Sequence, residues 1–367
     1  MNTKLFTWIW LILTFSSCGG EEETPSLDPA NLSVNTSLSE STPGLINVSA
    51  NADQTIEFTF DPGDGTGLQT NTNGQFTHTY TETNFYSIEV RAYGENGRYL
   101  IYKEQVAISL DGGEPSDVGY STPLSYDGMT LLWQDEFTGN GVDQTKWTFE
   151  IGDGCPNCGW GNNELQYYRQ ENTAVSDGYL TITAKKEPFQ NKNYTSSRLI
   201  TKDKFEFQYG RVDIRAKMPE GQGIWPALWM LGANIDQVSW PACGEVDIME
   251  MVGGGSGRDN VTHGTAHWDN NGSHAEYGDS FQLSSGNLSD EFYVFSIIWT
   301  ETSIRWFIND TQYHAMNITG SDLSEFQKDF FFIMNIAVGG NWPGAPNSST
   351  LFPQTMTVDY IRVFQPD

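Results

Sequence analysis

The sequence predicts an all-β protein made of two β-sandwich units, one small and one large. Three observations carry this. Short segments of alternating apolar and polar residues recur along the chain, separated by turn residues. Glycine is frequent, at 37 of 367 residues, while long runs of helix-forming residues are scarce. Aromatic residues make up 13% against 18% charged, which is enough apolar area to bury a large core and excludes a disordered chain. No period of 20–50 residues recurs, so propellers and solenoids are excluded.

The first element is an address. Lys4 precedes an apolar run over 5–15. That run is too short to span a hydrocarbon core of ~30 Å, but it suits a signal peptide over 1–17. Ser16 and Ser17 put small residues before Cys18. This resembles a bacterial lipobox, which implies that Cys18 is lipidated. The acidic stretch that follows resembles the surface-export signal of Bacteroidetes-type lipoproteins. The resemblance implies an outer-membrane lipoprotein, at the cell surface or in the periplasm, held to the membrane only through the lipid on Cys18. No later stretch is long and apolar enough to cross a membrane. Residues 18–31, acidic and rich in Pro and Ser, read as a tether.

Residues 32–110 form the small unit, with strands expected at 55–60, 86–92, 99–102 and 105–110. Phe-Asp-Pro-Gly-Asp-Gly at 60–65, followed by Phe-Thr-His-Thr-Tyr at 76–80, resembles the signature of PKD domains. Such an Ig-like sandwich implies a spacer beside a polysaccharide hydrolase, with carbohydrate binding as the alternative. Residues 111–121 read as a linker. The large unit covers 122–367, with strands expected at 210–216, 293–299 and 357–364. Only 321–328 looks helical. A large antiparallel sandwich is the natural reading.

Charge narrows the partners. With 19 Lys+Arg against 47 Asp+Glu, the net charge is -28. Such a surface repels phosphate backbones and excludes nucleic-acid binding as the main task. It argues less strongly against sulfated polymers. Besides Cys18, the cysteines are Cys155, Cys158 and Cys243. No His-rich cluster accompanies them, so structural thiols or one disulfide of open pairing are expected, not zinc.

The most informative segment is Glu245-Val-Asp247-Ile-Met-Glu250. On a strand, alternate side chains share a face, so Glu245 and Asp247 lie together opposite Val246 and Ile248. Strict alternation would bury Glu250 among apolar neighbours, at high cost. One extra residue near Ile248–Met249, a β-bulge, returns Glu250 to the acidic face. Three carboxylates on one face repel one another, which raises at least one pKa. Glycoside hydrolysis needs that split, with one carboxylate ionised and one carboxylic acid protonated. The backbones of Glu245 and Glu250 lie roughly 13–16 Å apart, and two long side chains can lean inward. A carboxyl gap of ~5–5.5 Å would mean a retaining mechanism.

This motif resembles glycoside hydrolase family 16, in the bulged-strand branch that includes laminarinases. Further matches run in family order through the large unit: Trp-Gln-Asp-Glu-Phe at 133–137, Gly-Asn-Asn-Glu-Leu-Gln-Tyr-Tyr at 161–168, Gly-Ile-Trp-Pro-Ala-Leu-Trp-Met at 223–230, Gly-Thr-Ala-His-Trp at 264–268 and Val-Asp-Tyr-Ile-Arg-Val at 358–363. The resemblance implies a concanavalin-like β-jelly roll with Glu245 as nucleophile, Glu250 as general acid/base and Asp247 tuning the pair. Trp225 and Trp229 share one strand face and suit the apolar faces of sugar rings. His267 and Trp268 are expected beside the acids, and Asn163, Glu164, Arg198 and Trp342 are expected to contact hydroxyls. The family's structural calcium maps onto Glu136, the backbone of Gly178 and Asp359. No catalytic metal or organic cofactor is expected. The expected activity is endo-hydrolysis of β-1,3 bonds in a neutral laminarin-type glucan, by a monomer. Alternatives are a mixed-linkage glucanase, a transglycosylase, an agarase, porphyranase or carrageenase of the same fold, or a non-catalytic glycan-binding lipoprotein.

Overall fold

The computed structural model describes residues 28–39, 42–81, 84–108, 118–254 and 257–367. The expected signal peptide and Cys18 lie outside the described residues. The small unit is built from two antiparallel sheets. One holds Ala30–Leu38, Leu45–Asp53 and Gln75–Thr79; the other holds Gln69–Asn71, Glu57–Asp61, Asn84–Tyr93 and Tyr99–Ile108. Alternation puts Ile46, Val48, Phe60, Phe76, Ile88 and Val90 inside. The segments expected at 99–102 and 105–110 are one continuous strand, Tyr99–Ile108. The polar pair between them, Lys103 and Glu104, looks like a break in sequence, yet both residues pair in register with Asn84–Tyr93. The two parts of the 60–80 signature meet in space: the Tyr80 hydroxyl donates to the Pro62 carbonyl at 2.8 Å, and His78 Nε2 lies 2.5 Å from Asp64 Oδ2.

The large unit is a sandwich of two large antiparallel sheets. The back sheet runs Thr173–Ser176, Tyr179–Ala184, Gln354–Pro366, Gly210–Lys217, Tyr293–Trp299, Ser303–Ile308 and Thr311–Asn317, with Met129–Asp135 also pairing with Gln354–Pro366. The front sheet runs His274–Gln282, Val261–Asp269, Glu245–Glu250, Ile224–Gly232, Phe330–Val338, Arg198–Ile200 and Thr148–Phe149. Between them lies one apolar core that includes the fully buried Trp147 and Trp306, along with Ile214, Leu228 and Phe332. Phe330–Val338 is central and buried throughout, which explains its almost uniformly apolar sequence. The segment expected as a helix at 321–328 is a 3-10 helix, Ser321–Gln327. A four-residue α-helix, Ile235–Val238, has no periodic signal in the sequence. Cys155 and Cys158 form a disulfide, and Cys243 is buried and free.

Candidate active site

The acidic strand Glu245–Glu250 has neighbours on both sides, and both registers slip at the same point. Against Ile224–Gly232, Asp247 pairs with Trp229 while Met249 pairs with Leu228. Against Val261–Asp269, Asp247 pairs with Thr265 and Glu250 with His263. Ile248 and Met249 thus oppose a single residue, Gly264, and both enter the core. This is the expected bulge, and it returns Glu250 to the face of Glu245 and Asp247. The glycine is required: a Cβ on Gly264 would sit 2.5 Å from Trp306 Cδ1 and 2.5 Å from the Tyr313 hydroxyl.

The three carboxyls line a cleft of about 1090 Å³ across the front sheet, with Trp225, Trp229, Trp240, His263, His267 and Trp342 among its walls. Each acid has its own partner. Trp240 Nε1 donates to Glu245 Oε2 at 2.9 Å. Trp225 Nε1 donates to Glu250 Oε1 at 2.9 Å. His267 Nε2 lies 3.0 Å from Asp247 Oδ2 and 3.8 Å from Glu245 Oε1. Burial raises the affinity of all three acids for a proton. It lifts Glu245 well above the usual carboxylate range, with the neighbouring Asp247 charge adding to the effect. Asp247 is pushed up to about 8, mainly by burial. Glu250 is pushed up to about 8 by burial and the Asp247 charge, against the Trp225 hydrogen bond. The trio titrates as a coupled set in which the first carboxylate formed holds protons on the others. Such a set supplies a base or nucleophile together with a protonated acid near neutral pH.

The tryptophans are held in place. Trp229 Nε1 donates to Asn335 Oδ1 at 2.8 Å, and Asn335 Nδ2 donates to the Tyr168 hydroxyl at 3.2 Å. The Tyr168 hydroxyl in turn donates to Glu164 Oε2 at 3.2 Å. Arg198 sits between indoles, its guanidinium carbon 4.6 Å from the Trp160 ring and 4.9 Å from the Trp229 ring. Arg198 also pairs with Glu150. Trp342 stands edge-on to Trp225, with ring centres 5.7 Å apart.

Three expectations change. Trp268 faces away from the cleft, because it alternates with His267 on Val261–Asp269, and it packs against the core near Phe326. Asn163 is outside the cleft lining, its amide donating to Asn341 Oδ1 at 2.8 Å. Glu164 reaches the cleft floor but is buried, and burial raises its pKa. Its oxygens are taken by Gln166 at 2.6 Å, Tyr168 and Asn162, so it supports the Asn335–Trp229 chain instead of greeting substrate. The sequence reading missed Trp160, Trp240, His263, His274, Glu276 and Asn335. Of these, only His263 carried a local signal, as it lies an even number of residues before His267 on the same strand.

Of the residues expected to hold calcium, the two carboxylates have arginine partners. Arg362 donates to both Glu136 oxygens, at 2.7 and 2.8 Å, and Arg215 donates to Asp359 Oδ2 at 2.8 Å. Guanidiniums hold these carboxylates, a donor set that does not fit a cation. Cys155 and Cys158 are spent on their disulfide, so their grouping with Asp153 offers no thiolate.

A family model described as glycosyl hydrolases family 16 matches residues 160–362. The glucan endo-1,3-beta-glucosidase A1 of Niallia circulans is 37% identical over 281 residues, covering 70% of this chain and 41% of its own. The beta-glucanase of Rhodothermus marinus is 40% identical over 251 residues, covering 64% of this chain and 85% of its own. This chain spans about two fifths or less of the length of some curated relatives it matches. Among solved structures, the catalytic domain of an endo-1,3-beta-glucanase (laminarinase) from Thermotoga petrophila superposes with a TM-score of 0.60 at 42% identity, over 65% of this chain and 98% of that one.

Proposed function

The chain belongs to the glycosyl hydrolases of family 16, and on that premise we propose that it cleaves internal β-1,3-glucosidic bonds of a laminarin-type glucan with retention of configuration. The single observation that carries this reading is the bulged strand that turns Glu245, Asp247 and Glu250 into one tryptophan-walled cleft. Glu245 attacks the anomeric carbon and forms a glycosyl ester, while Glu250 gives its proton to the departing glycosidic oxygen. Glu250 then takes a proton from water, which attacks the ester and releases Glu245. Asp247, in contact with His267, controls how charge divides between the two glutamates. The trp-lined walls offer apolar faces to neutral sugar rings. The naming of similar proteins as endo-1,3-beta-glucanases supports the choice of linkage.

The reading extends to the rest of the chain as a surface lipoprotein anchored through Cys18, with a PKD-like spacer and a monomeric catalytic unit. Reducing-end release from laminarin, mixed-linkage glucan, agarose and carrageenan, measured in parallel, tests the substrate. Strongest release from laminarin is expected. Cutting of a galactan alone would discard the substrate, and silence on all four with a folded protein would favour a binding role. The anomer first formed, followed by NMR, tests retention.

A further inference from the structure

We propose that His267, His274 and Glu276 form a binding site for a divalent transition-metal ion of the zinc class, and that an ion held there blocks the cleft. The three residues come from one hairpin of the front sheet. His267 on Val261–Asp269 pairs directly with Glu276 on His274–Gln282, and His274 lies two residues earlier on that second strand. A direct partner and its diagonal neighbour share a face, so the hairpin backbone itself brings the three side chains together. Their donor atoms converge. His267 Nδ1 lies 2.9 Å from His274 Nε2 and 3.5 Å from Glu276 Oε2, and His274 Nε2 lies 3.9 Å from Glu276 Oε2.

Those separations fit one ion. Ligands at ~2.0–2.1 Å in a tetrahedron stand roughly 3.3–3.4 Å from one another. The observed three bracket that figure. Two imidazoles and one carboxylate suit zinc, and leave a fourth position for water or a sugar hydroxyl. The other ring nitrogen of His267 already has the partner that metal-bound histidines use: Nε2 lies against the carboxylate of Asp247 at 3.0 Å. The way in is open, since Glu276 and His274 are the more exposed members at 64% and 37% of their side-chain area.

Occupancy would have a direct consequence. His267, His274 and Glu276 all line the cleft, and His267 Nε2, the ring nitrogen opposite the ligating Nδ1, lies 3.8 Å from Glu245 Oε1, so the ion would occupy the cleft wall one imidazole away from the proposed nucleophile. Metal binding and laminarin hydrolysis should therefore exclude one another. Only the inhibition half rests on the proposed glucanase reading.

The untagged full chain, stripped with EDTA and desalted, would be titrated with zinc chloride by calorimetry and with cobalt by visible absorption. About one ion per chain is expected, with the intense cobalt bands of a tetrahedral site. His274→Ala and Glu276→Gln, both checked for folding by circular dichroism, should each weaken uptake at least tenfold. Zinc should inhibit laminarin hydrolysis over the same concentrations, and EDTA should restore it. No saturable uptake, or uptake unchanged in both variants, would overturn the site. Uptake with undiminished hydrolysis would overturn the blocking role alone. A chain inactive on every glucan would count against the glucanase reading, while the titration would still decide the site.

Discussion

Trp306 Nε1 donates to the carbonyl oxygen of Asp247 at 2.8 Å, joining the back sheet to the acidic strand through the core. The contact falls at the residue where the strand registers slip on both sides. A fully buried indole thus pins the bulge that turns Glu250 toward Glu245. Trp306→Phe keeps an aromatic ring but leaves that carbonyl without its donor. A loss of about 1–3 kcal/mol in stability is expected from denaturant melts. The kcat on laminarin should fall more than KM rises, because binding walls stay while the acids shift. A variant equally stable and equally active would remove the pin.

Glu245→Gln should reduce turnover by about 10³-fold or more while laminarin binding persists. Substantial residual turnover would sink the nucleophile assignment. Glu250→Gln should spare aryl glucosides with good leaving groups more than it spares laminarin, since such groups depart without a proton. Equal loss on both substrates would count against its role as acid.

Burial also sets a pH dependence with a definite sign. Glu250 and Asp247 are pushed up to about 8, above their unfolded values, so the folded chain holds these protons more tightly than the unfolded chain. Their contribution to stability is therefore fullest at acid pH and is lost as pH rises toward about 8. Glu250→Gln, which cannot ionise, should melt higher than the parent at pH 8.5, with the gap shrinking toward pH 4.5. Thermal melts at the two pH values check this, and a gap that widens toward acid would reverse the sign.

Trp225 acts on the same proton. Its indole hydrogen bond favours the ionised form of Glu250. Trp225→Phe removes that donor and should move the alkaline limb of kcat/KM upward. An unmoved limb, with only KM changed, would make Trp225 purely a sugar platform.

Arginine pairs occupy the acids expected to bind calcium, so adding calcium to the EDTA-stripped chain should leave the melting temperature unchanged. By contrast, Arg362→Ala strips the partner from the partly buried Glu136 and should destabilise the large unit. A marked fall in melting temperature with EDTA, reversed by calcium, would restore the cation site.

Much of this was legible from sequence because strand alternation is a local rule. It put Glu245 and Asp247 on one face, required a bulge to bring Glu250 back, and paired Trp225 with Trp229. Applied one step further, it would have turned Trp268 away from His267 and added His263. Other features were beyond any local rule. Trp240 reaches Glu245 from a loop that no periodicity describes, and Asn335 meets Trp229 and Tyr168 only through sheet pairing and long loops. His274 joins His267 because a hairpin fixes which residues stand opposite. Glu136 and Asp359 read alike as calcium ligands or ion-pair partners until Arg362 and Arg215 are seen beside them. The sequence by itself determined which side chains share a face, since backbone geometry repeats every two residues. Only the tertiary structure decided which distant groups satisfy them, since a buried donor or charge takes the partner that packing brings within reach.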